Sequence, residues 1–294
     1  MAIEDRLLRV FDDLPPRLQA AARWLLDHCD DVAFLSMREV ARRAEVTPAT
    51  MTRLAQRLGF DGFGDLRALF TDALRARAVP FRERAEGLRV RRDLDGDSAL
   101  VTDTLAVVSG HLKTLSAPDT LSAIAQAADI IQHSERAYWV GARSGFAPMH
   151  LGAYLLSLIG EKTRLLDQAG GIGLDALGDL SPADALIALS IAPYTTSTVE
   201  AVSFAVERGA QVVAVTDSRA APIARNASIA IIVPTETPSF LQTMTPAFLV
   251  VECLAALVAA RRGERAVDAI ARAEVLLDRL GSYTNSNSPR RRKP

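Results

Sequence analysis

ALIALSIAPYTTSTVEAVSFAVERG, Ala185 to Gly209, decides the fold class of this chain. Its first five residues, ALIAL, are an unbroken apolar run, as expected of a strand buried on both faces. Its last stretch, VEAVSFAVERG, repeats apolar residues at helical spacing. Between them lies Ser190 to Thr198, rich in hydroxyls and without glycine. A loop of this kind, between a strand and a helix, is where α/β proteins hold anions. The first N–H groups of the helix have no internal acceptor and point at the ligand. Pro193 departs from that pattern, because proline has no N–H to give. Ser190, Tyr194, Thr195, Thr196 and Ser197 are the candidate ligand contacts here.

Outward from this stretch the same texture repeats. AYWV, TRLL, QVVAVT and SIAIIV read as further strands. PMHLGAYLLSLIG, a short APIARNA and the long TPAFLVVECLAALVAARRG read as helices. Strands alternating with helices predict a parallel sheet covered on both faces. Before this region, DTLAVVSGHLKTL and DTLSAIAQAADIIQHS are helical, and Val79 to Gly96 reads as a linker or an exposed helix. Residues up to about Ala78 read as all helix. The polar, basic end YTNSNSPRRRKP reads as a disordered tail.

The chain has 294 residues, 49% hydrophobic and 23% charged, with a formal net charge of −1. That is a globular composition with room for two domains. A near-neutral chain is not a general nucleic-acid coat, although it can carry a local basic face. Cys29 and Cys253 are far apart in apolar helical patterns and read as buried thiols of a reducing compartment. No zinc spacing occurs, so no metal is expected. MAIEDRLLRVFDDLPP carries acids and has no continuous apolar core, which excludes a signal peptide. AFLVVECLAALVAA is too short to cross a bilayer and contains Glu252. The expected location is the cytoplasm, with no membrane partner.

In the helical first part, MREVARRAEVTPATMTRLAQRLGF reads as two short helices joined by a tight turn. Ser36 and Glu39 have capping-box spacing at the start of the first. Glu45-Val46 makes the turn. Thr47 caps the second helix, Pro48 takes its first position, and Gly59 ends it. Met37, Val40 and Ala41 would pack against Val46, Met51, Leu54 and Leu58. That leaves Thr47, Ala49, Thr50, Thr52, Arg53 and Gln56 exposed, where a helix-turn-helix presents its recognition helix to base edges. Arginine reads guanine and glutamine reads adenine through paired hydrogen bonds. Ser36 to Leu58 carries five arginines against Glu39 and Glu45. Arg38, Arg42 and Arg57 are the candidate phosphate contacts.

The stretch MREVARRAEVTPATMTRLAQRLGFDGFGDLRALF resembles the helix-turn-helix of RpiR-family transcriptional regulators. The matching features are Val46-Thr47-Pro48-Ala49-Thr50 and Leu58-Gly59-Phe60-Asp61-Gly62-Phe63. The second part resembles the sugar isomerase (SIS) domain of the same regulators, through Ile159-Gly160, Gly209-Ala210 before QVVAVTDS, and APIARNASIAIIV. The resemblance implies an all-α helix-turn-helix domain followed by a three-layer, flavodoxin-like α/β domain with a five-stranded parallel sheet. It also implies a dimer, and a phosphosugar held by two loops. Here these are the loop of Gly141, Ala142, Arg143, Ser144 and Gly145, and Ser190 to Thr198. The family's first loop is G-x-G-x-S, and Arg143 breaks its glycine pattern. Its second is S-x-S-G-x-T, and Ala192 and Pro193 replace its second serine and its glycine. Gly141, Arg143 and Ser144 join the candidate contacts, with the Arg143 guanidinium able to replace lost donors.

Other chemistries fit less well. Gly171-Ile-Gly-Leu-Asp-Ala176 has G-x-G-x-x-A spacing, but the next strand ends in Pro193 and Tyr194 instead of the acid a dinucleotide site wants. Ser144 lies in G-x-x-S-G, not the G-x-S-x-G of a hydrolase elbow. A sugar-phosphate isomerase would need a base, for which Glu236, Glu252 and His150 are candidates. The expected organisation is residues 1–78 DNA-binding, 79–120 connecting, 121–280 SIS, and 281–294 a basic tail. The expected function is a regulator, not an enzyme, without cofactor. Its partners are an operator in double-stranded DNA, a small anionic effector, and further copies of itself as homodimer or homotetramer. The alternatives are a SIS isomerase, or a regulator whose SIS domain only dimerises.

Overall fold

The computed structural model describes residues 3–28, 32, 35–78, 81–167 and 172–283. Cys29, Gly171 and residues 284–294, which include most of the expected basic tail, lie outside the described residues. The first part consists of α1 (Ile3–Val10), α2 (Pro16–Asp27), α3 (Met37–Arg43), α4 (Pro48–Arg57) and α5 (Phe63–Ala78). Pro16 occupies the first helical position of α2, where a missing N–H costs nothing. α4 packs on α2, α3 and α5. Val40, Ala41, Met51, Leu54 and Leu58 are buried as the spacing predicts, and Met37 and Val46 are half-buried at the edge. Ala55 is buried as well.

Local signals set the ends of α3 and α4. The Thr47 hydroxyl accepts from Thr50 N–H at 3.3 Å. Gly59 sits at φ 83, with Gly59 N–H on Gln56 O at 2.9 Å and Phe60 N–H on Ala55 O at 3.0 Å. This is a Schellman closure, and it needs the left-handed backbone glycine provides. Gly59→Ala should cost about 1 kcal/mol, the left-handed penalty less the entropy alanine removes from the unfolded chain. A side chain has room there, the nearest atom being Arg6 Nη2 at 3.5 Å. Urea unfolding would read the loss. The capping box forms only by half. Ser36 Oγ accepts from Glu39 N–H at 3.3 Å, but the Glu39 carboxylate turns to Arg42 and Arg43. Two charged donors on the same helix outcompete one backbone N–H.

The linking segment is helical. α6 (Phe81–Thr114) is interrupted at Gly96, which has φ 81 and ψ 171. α7 (Pro118–His133) starts before the expected boundary at residue 120. Then follow β1 (Ala137–Gly141), α8 (Phe146–Leu158), β2 (Thr163–Leu166), β3 (Ala185–Leu189), α9 (Thr196–Glu207), β4 (Gln211–Thr216), β5 (Ile229–Ile232), α10 (Thr245–Arg262) and α11 (Glu264–Arg279). All four strand pairings are parallel, in the order β2-β1-β3-β4-β5. β1 and β3 are buried along their whole length, which is why they read as unbroken apolar runs.

Each face of the sheet has its own core. Trp139, Ile187, Val213 and Ile231 meet Ile131 of α7, Met149 and Leu156 of α8, and Val250 and Leu254 of α10. On the other side Tyr138, Leu186, Val212 and Ala214 meet Ala201, Val202 and Ala205 of α9. Gly152 lets α8 lie against Trp139, since a Cβ there would fall 2.3 Å from the indole. APIARNA is not a helix. Ala221, Ala224 and Ala227 each bond the carbonyl three residues back. Pro222 withholds a donor, and the segment is too short to continue past it. α11 adds a helix beyond those expected. Its signal is Ala266, Ala269, Ile270 and Ala273, at successive helical spacings.

Candidate functional site

The strand order reverses between β1 and β3: the chain leaves β1 for β2 on one side and returns to β3 on the other. At such a point the loops leaving the strand ends diverge and open a crevice, the usual ligand position in open α/β sheets. Gly141 pairs with Leu189 in register, so both candidate loops leave the sheet side by side. A Cβ on Gly141 would fall 2.5 Å from Gly145 O, and one on Gly145 would fall 3.1 Å from Leu189 O. The first loop is therefore folded flat against the end of β3. Arg143 lies exposed at its tip with φ 55, a left-handed backbone that costs a non-glycine residue about 1–2 kcal/mol. The glycine is gone, but the backbone conformation that favours one is kept. Ser144 is half-buried beside it.

The second loop is braced from within. Ser190 is buried, and its Oγ accepts from Thr195 N–H at 3.1 Å, leaving its own proton to give. The Thr195 hydroxyl donates to Thr198 Oγ1 at 2.9 Å. Ala192 N–H donates to Asp217 Oδ2 at 3.1 Å, and Gln242 Nε2 donates to Ala192 O at 2.8 Å. The Ala192–Pro193 peptide is cis. Thr196 is exposed and Ser197 half-buried at the start of α9, where backbone N–H groups have no helical acceptor behind them. Tyr194 is half-buried on the approach to the same helix start.

In the helical part, Thr47, Ala49, Arg53, Gln56 and Arg57 are exposed on α4, and Arg38 is exposed on α3. Thr50 and Thr52 are half-buried and already bonded: Thr50 Oγ1 is 2.9 Å from Thr47 Oγ1, and Thr52 Oγ1 donates to Pro48 O at 3.3 Å. Arg42 donates twice to Glu39, at 2.9 and 2.6 Å, and Arg43 once at 2.9 Å. Hydrogen bonds from Arg42 and then Arg43 pull the Glu39 carboxyl from 4.5 down to about 2. One carboxylate thus serves two arginines. Arg38, Arg53 and Arg57 form no ion pair among the described residues, and they are the better-placed cations of this face.

Both parts of this geometry match known domain families. Residues 3–77 match the helix-turn-helix domain of the rpiR family, and residues 130–257 match the SIS domain. The chain pairs an rpiR-family helix-turn-helix domain with a SIS domain. It is similar to the sugar isomerase domain of an RpiR transcription factor from Sphaerobacter thermophilus, with 27% identity and a TM-score of 0.57, over 60% of this chain and 98% of that one. It shares the fold of the Vibrio vulnificus NanR protein complexed with ManNAc-6P, at 19% identity and a TM-score of 0.56, over 96% of this chain and 99% of that one. No curated protein sequence matches it.

The loops of the SIS domain carry residues that the sequence pattern did not single out. Asp217 directly follows β4 and Gln242 lies before α10; together they fix the backbone of Ala192. The position of Asp217 at a strand C-terminus was the available signal. Glu236, Glu252 and His150 are exposed, and they lie on three separate segments. Glu252 sits inside α10, away from its N-terminal end. Cys253 is half-buried in that helix, and burial pushes its thiol up. No group of acids, histidines and cysteines that could hold a metal occurs among the described residues. No described helix is long and apolar enough to cross a membrane.

Proposed function

We propose that the chain is a DNA-binding regulator whose SIS domain takes a small anionic metabolite between the β1 and β3 loops and thereby changes operator affinity. The reversal of strand order at β1/β3 carries this reading, because the loops bearing Arg143, Ser144 and Ser190, and the start of α9, leave the same end of the sheet from adjacent strands. The Arg143 fork and the hydroxyls there suit phosphate or carboxylate oxygens. A phosphosugar agrees with the ligand of the NanR neighbour, while the changes at Ala192 and Pro193 favour an acid needing fewer donors. A thermal-shift panel of phosphosugars and sugar acids would test the site. Stabilisation by one class, lost on Arg143→Ala, is the expected result; no stabilisation by any member would favour a SIS domain that only dimerises. That alternative draws on Ser190 Oγ and the Thr195 hydroxyl being engaged inside the loop.

Arg143→Gly separates binding from backbone strain. It should raise stability by about 0.5–1 kcal/mol, the relieved left-handed cost less the entropy glycine adds to the unfolded chain. It should also lose the ligand response. Denaturant titration with and without ligand reads both effects.

The regulator acts as a dimer or tetramer in this reading, with one α4 per operator half-site in the major groove. α6 supports self-association: none of its side chains is buried within the chain, and Leu94 and Leu105 are 78% and 63% exposed. The chain does not turn over sugar phosphates in this reading. None of the three candidate bases lies on the β1 or β3 loop. Interconversion of an aldose and a ketose phosphate in an assay would instead establish the isomerase.

A further inference from the structure

A second charged cavity lies at the other end of the SIS domain. It has a volume of about 280 Å³ and forms where α8 runs out, under the corner between α10 and α11. Its floor is Ile159, Gly160 and Ala269. Gly160 has φ 82, and a Cβ on it would fall 3.0 Å from Ala269 Cβ, so α11 rests directly on the turn that ends α8. β2 begins just after this turn, which places the cavity at the N-terminal ends of the strands, away from the β1 and β3 loops.

The charges around the cavity do not cancel. Glu161 is held by Arg262 at 2.5 and 2.7 Å, and Arg262 also donates to Gln132 O at 3.1 Å. That pair forms one wall. The opposite wall is α11, with Arg265, Asp268 and Arg272. Asp268 followed four residues later by Arg272 is the favoured order for a helical ion pair. Yet among the described residues Asp268 forms no ion pair with either arginine. Three guanidiniums against two carboxylates leave one net positive charge on a lining that also includes the apolar Ile159 and Ala269.

We propose that this cavity is an oxyanion site, gripped by Arg265 and Arg272 and backed by Arg262. Guanidinium forks match planar or tetrahedral oxyanions, and Arg265 and Arg272, two turns or about 10 Å apart along α11, can approach one group from its two ends. The ligand class is a phosphate or carboxylate, free or carried on a short apolar body that covers Ile159 and Ala269. The site does not depend on the effector reading of the β1 and β3 loops. It lies at the far end of α8 from the first loop, about 20 Å along the helix at 1.5 Å per residue.

The test uses the full chain and sodium phosphate, against sodium chloride at matched ionic strength, with melting temperature as readout. Wild type should gain several degrees in phosphate once the ligand is well above its dissociation constant. Arg265→Ala/Arg272→Ala should lose most of that gain, and Arg143→Ala should keep it. Both substituted arginines are exposed, so the double variant should fold normally. Glycerol 3-phosphate beside inorganic phosphate separates the two ligand sources: a larger gain assigns the apolar floor to an organic body, and an equal gain assigns the site to the free ion. A double variant with the wild-type gain, or a phosphate effect no larger than that of chloride, would overturn the site.

Discussion

Arg53→Ala should lower operator affinity by roughly 5- to 150-fold, the equivalent of about 1–3 kcal/mol for one lost paired contact to a base. The loss should be confined to the half-site position that Arg53 reads. Arg53 is exposed on α4 and has no ion pair among the described residues, so the substitution leaves the helix-turn-helix core intact. Its effect should differ in kind from that of Arg57→Ala. Arg57 lies in the last turn of α4, where losing a phosphate contact would weaken binding to all sequences alike and reduce the salt slope by about one. Arg42→Ala should change the salt slope less, because Arg42 is already neutralised by Glu39. A gel-shift panel of point-substituted operators at two salt concentrations distinguishes the three. Unchanged base selectivity in Arg53→Ala would place base reading elsewhere.

Arg136→Met should destabilise the α/β domain by about 3 kcal/mol. Asp184 is buried just before β3, and Arg136 holds it from just before β1 through two hydrogen bonds at 3.0 and 2.9 Å. Ser181 adds N–H and hydroxyl bonds to the same carboxylate, each at 2.8 Å. Removing the arginine leaves a buried charge with half of its partners, and such losses reach about 3–5 kcal/mol. The lower end applies because Arg136 itself is partly in water. Burial pushes the Asp184 carboxyl up, but bonds from Arg136 and Ser181 outweigh it and leave it below its ordinary 3.8. An acid with a lowered folded value contributes its stability above its unfolded value and loses it as the pH falls through the folded one. The gap between wild type and Arg136→Met should therefore stay constant near neutrality and narrow below about pH 4. Equal urea midpoints at pH 7 would show that the pair contributes nothing.

What could be read from the sequence was local. Thr47-Pro48 and Gly59 mark the ends of α4 because caps involve neighbours within a few residues. ALIAL announces a central strand because every side chain in it is buried. The capping box was half legible: the spacing showed Ser36 and Glu39, but not that Arg42 and Arg43 compete for the same carboxylate. Pairings across the chain carry no such signature. Arg136 and Asp184 are 48 residues apart and meet only because β1 and β3 are neighbours. The left-handed backbone of Arg143 was hidden for a related reason, since an arginine gives no sign that it stands in a glycine-like conformation. Asp217 and Gln242 reach Ala192 from two further segments, so their part in the loop emerges only from the fold.

For the chain to act as a ligand-responsive regulator, occupancy at the β1 and β3 loops must change binding at α4. The direct measurement is operator affinity, by fluorescence anisotropy, with and without a phosphosugar or sugar acid that stabilises the protein in the thermal-shift panel. Linkage requires that an effector which discriminates between the DNA-bound and free states shift the operator dissociation constant. The predicted shift is about 5- to 150-fold for a coupling of 1–3 kcal/mol, and it should vanish in Arg143→Ala while that variant still binds the operator. A ligand that stabilises wild type through Arg143 yet leaves operator affinity unchanged would contradict the account.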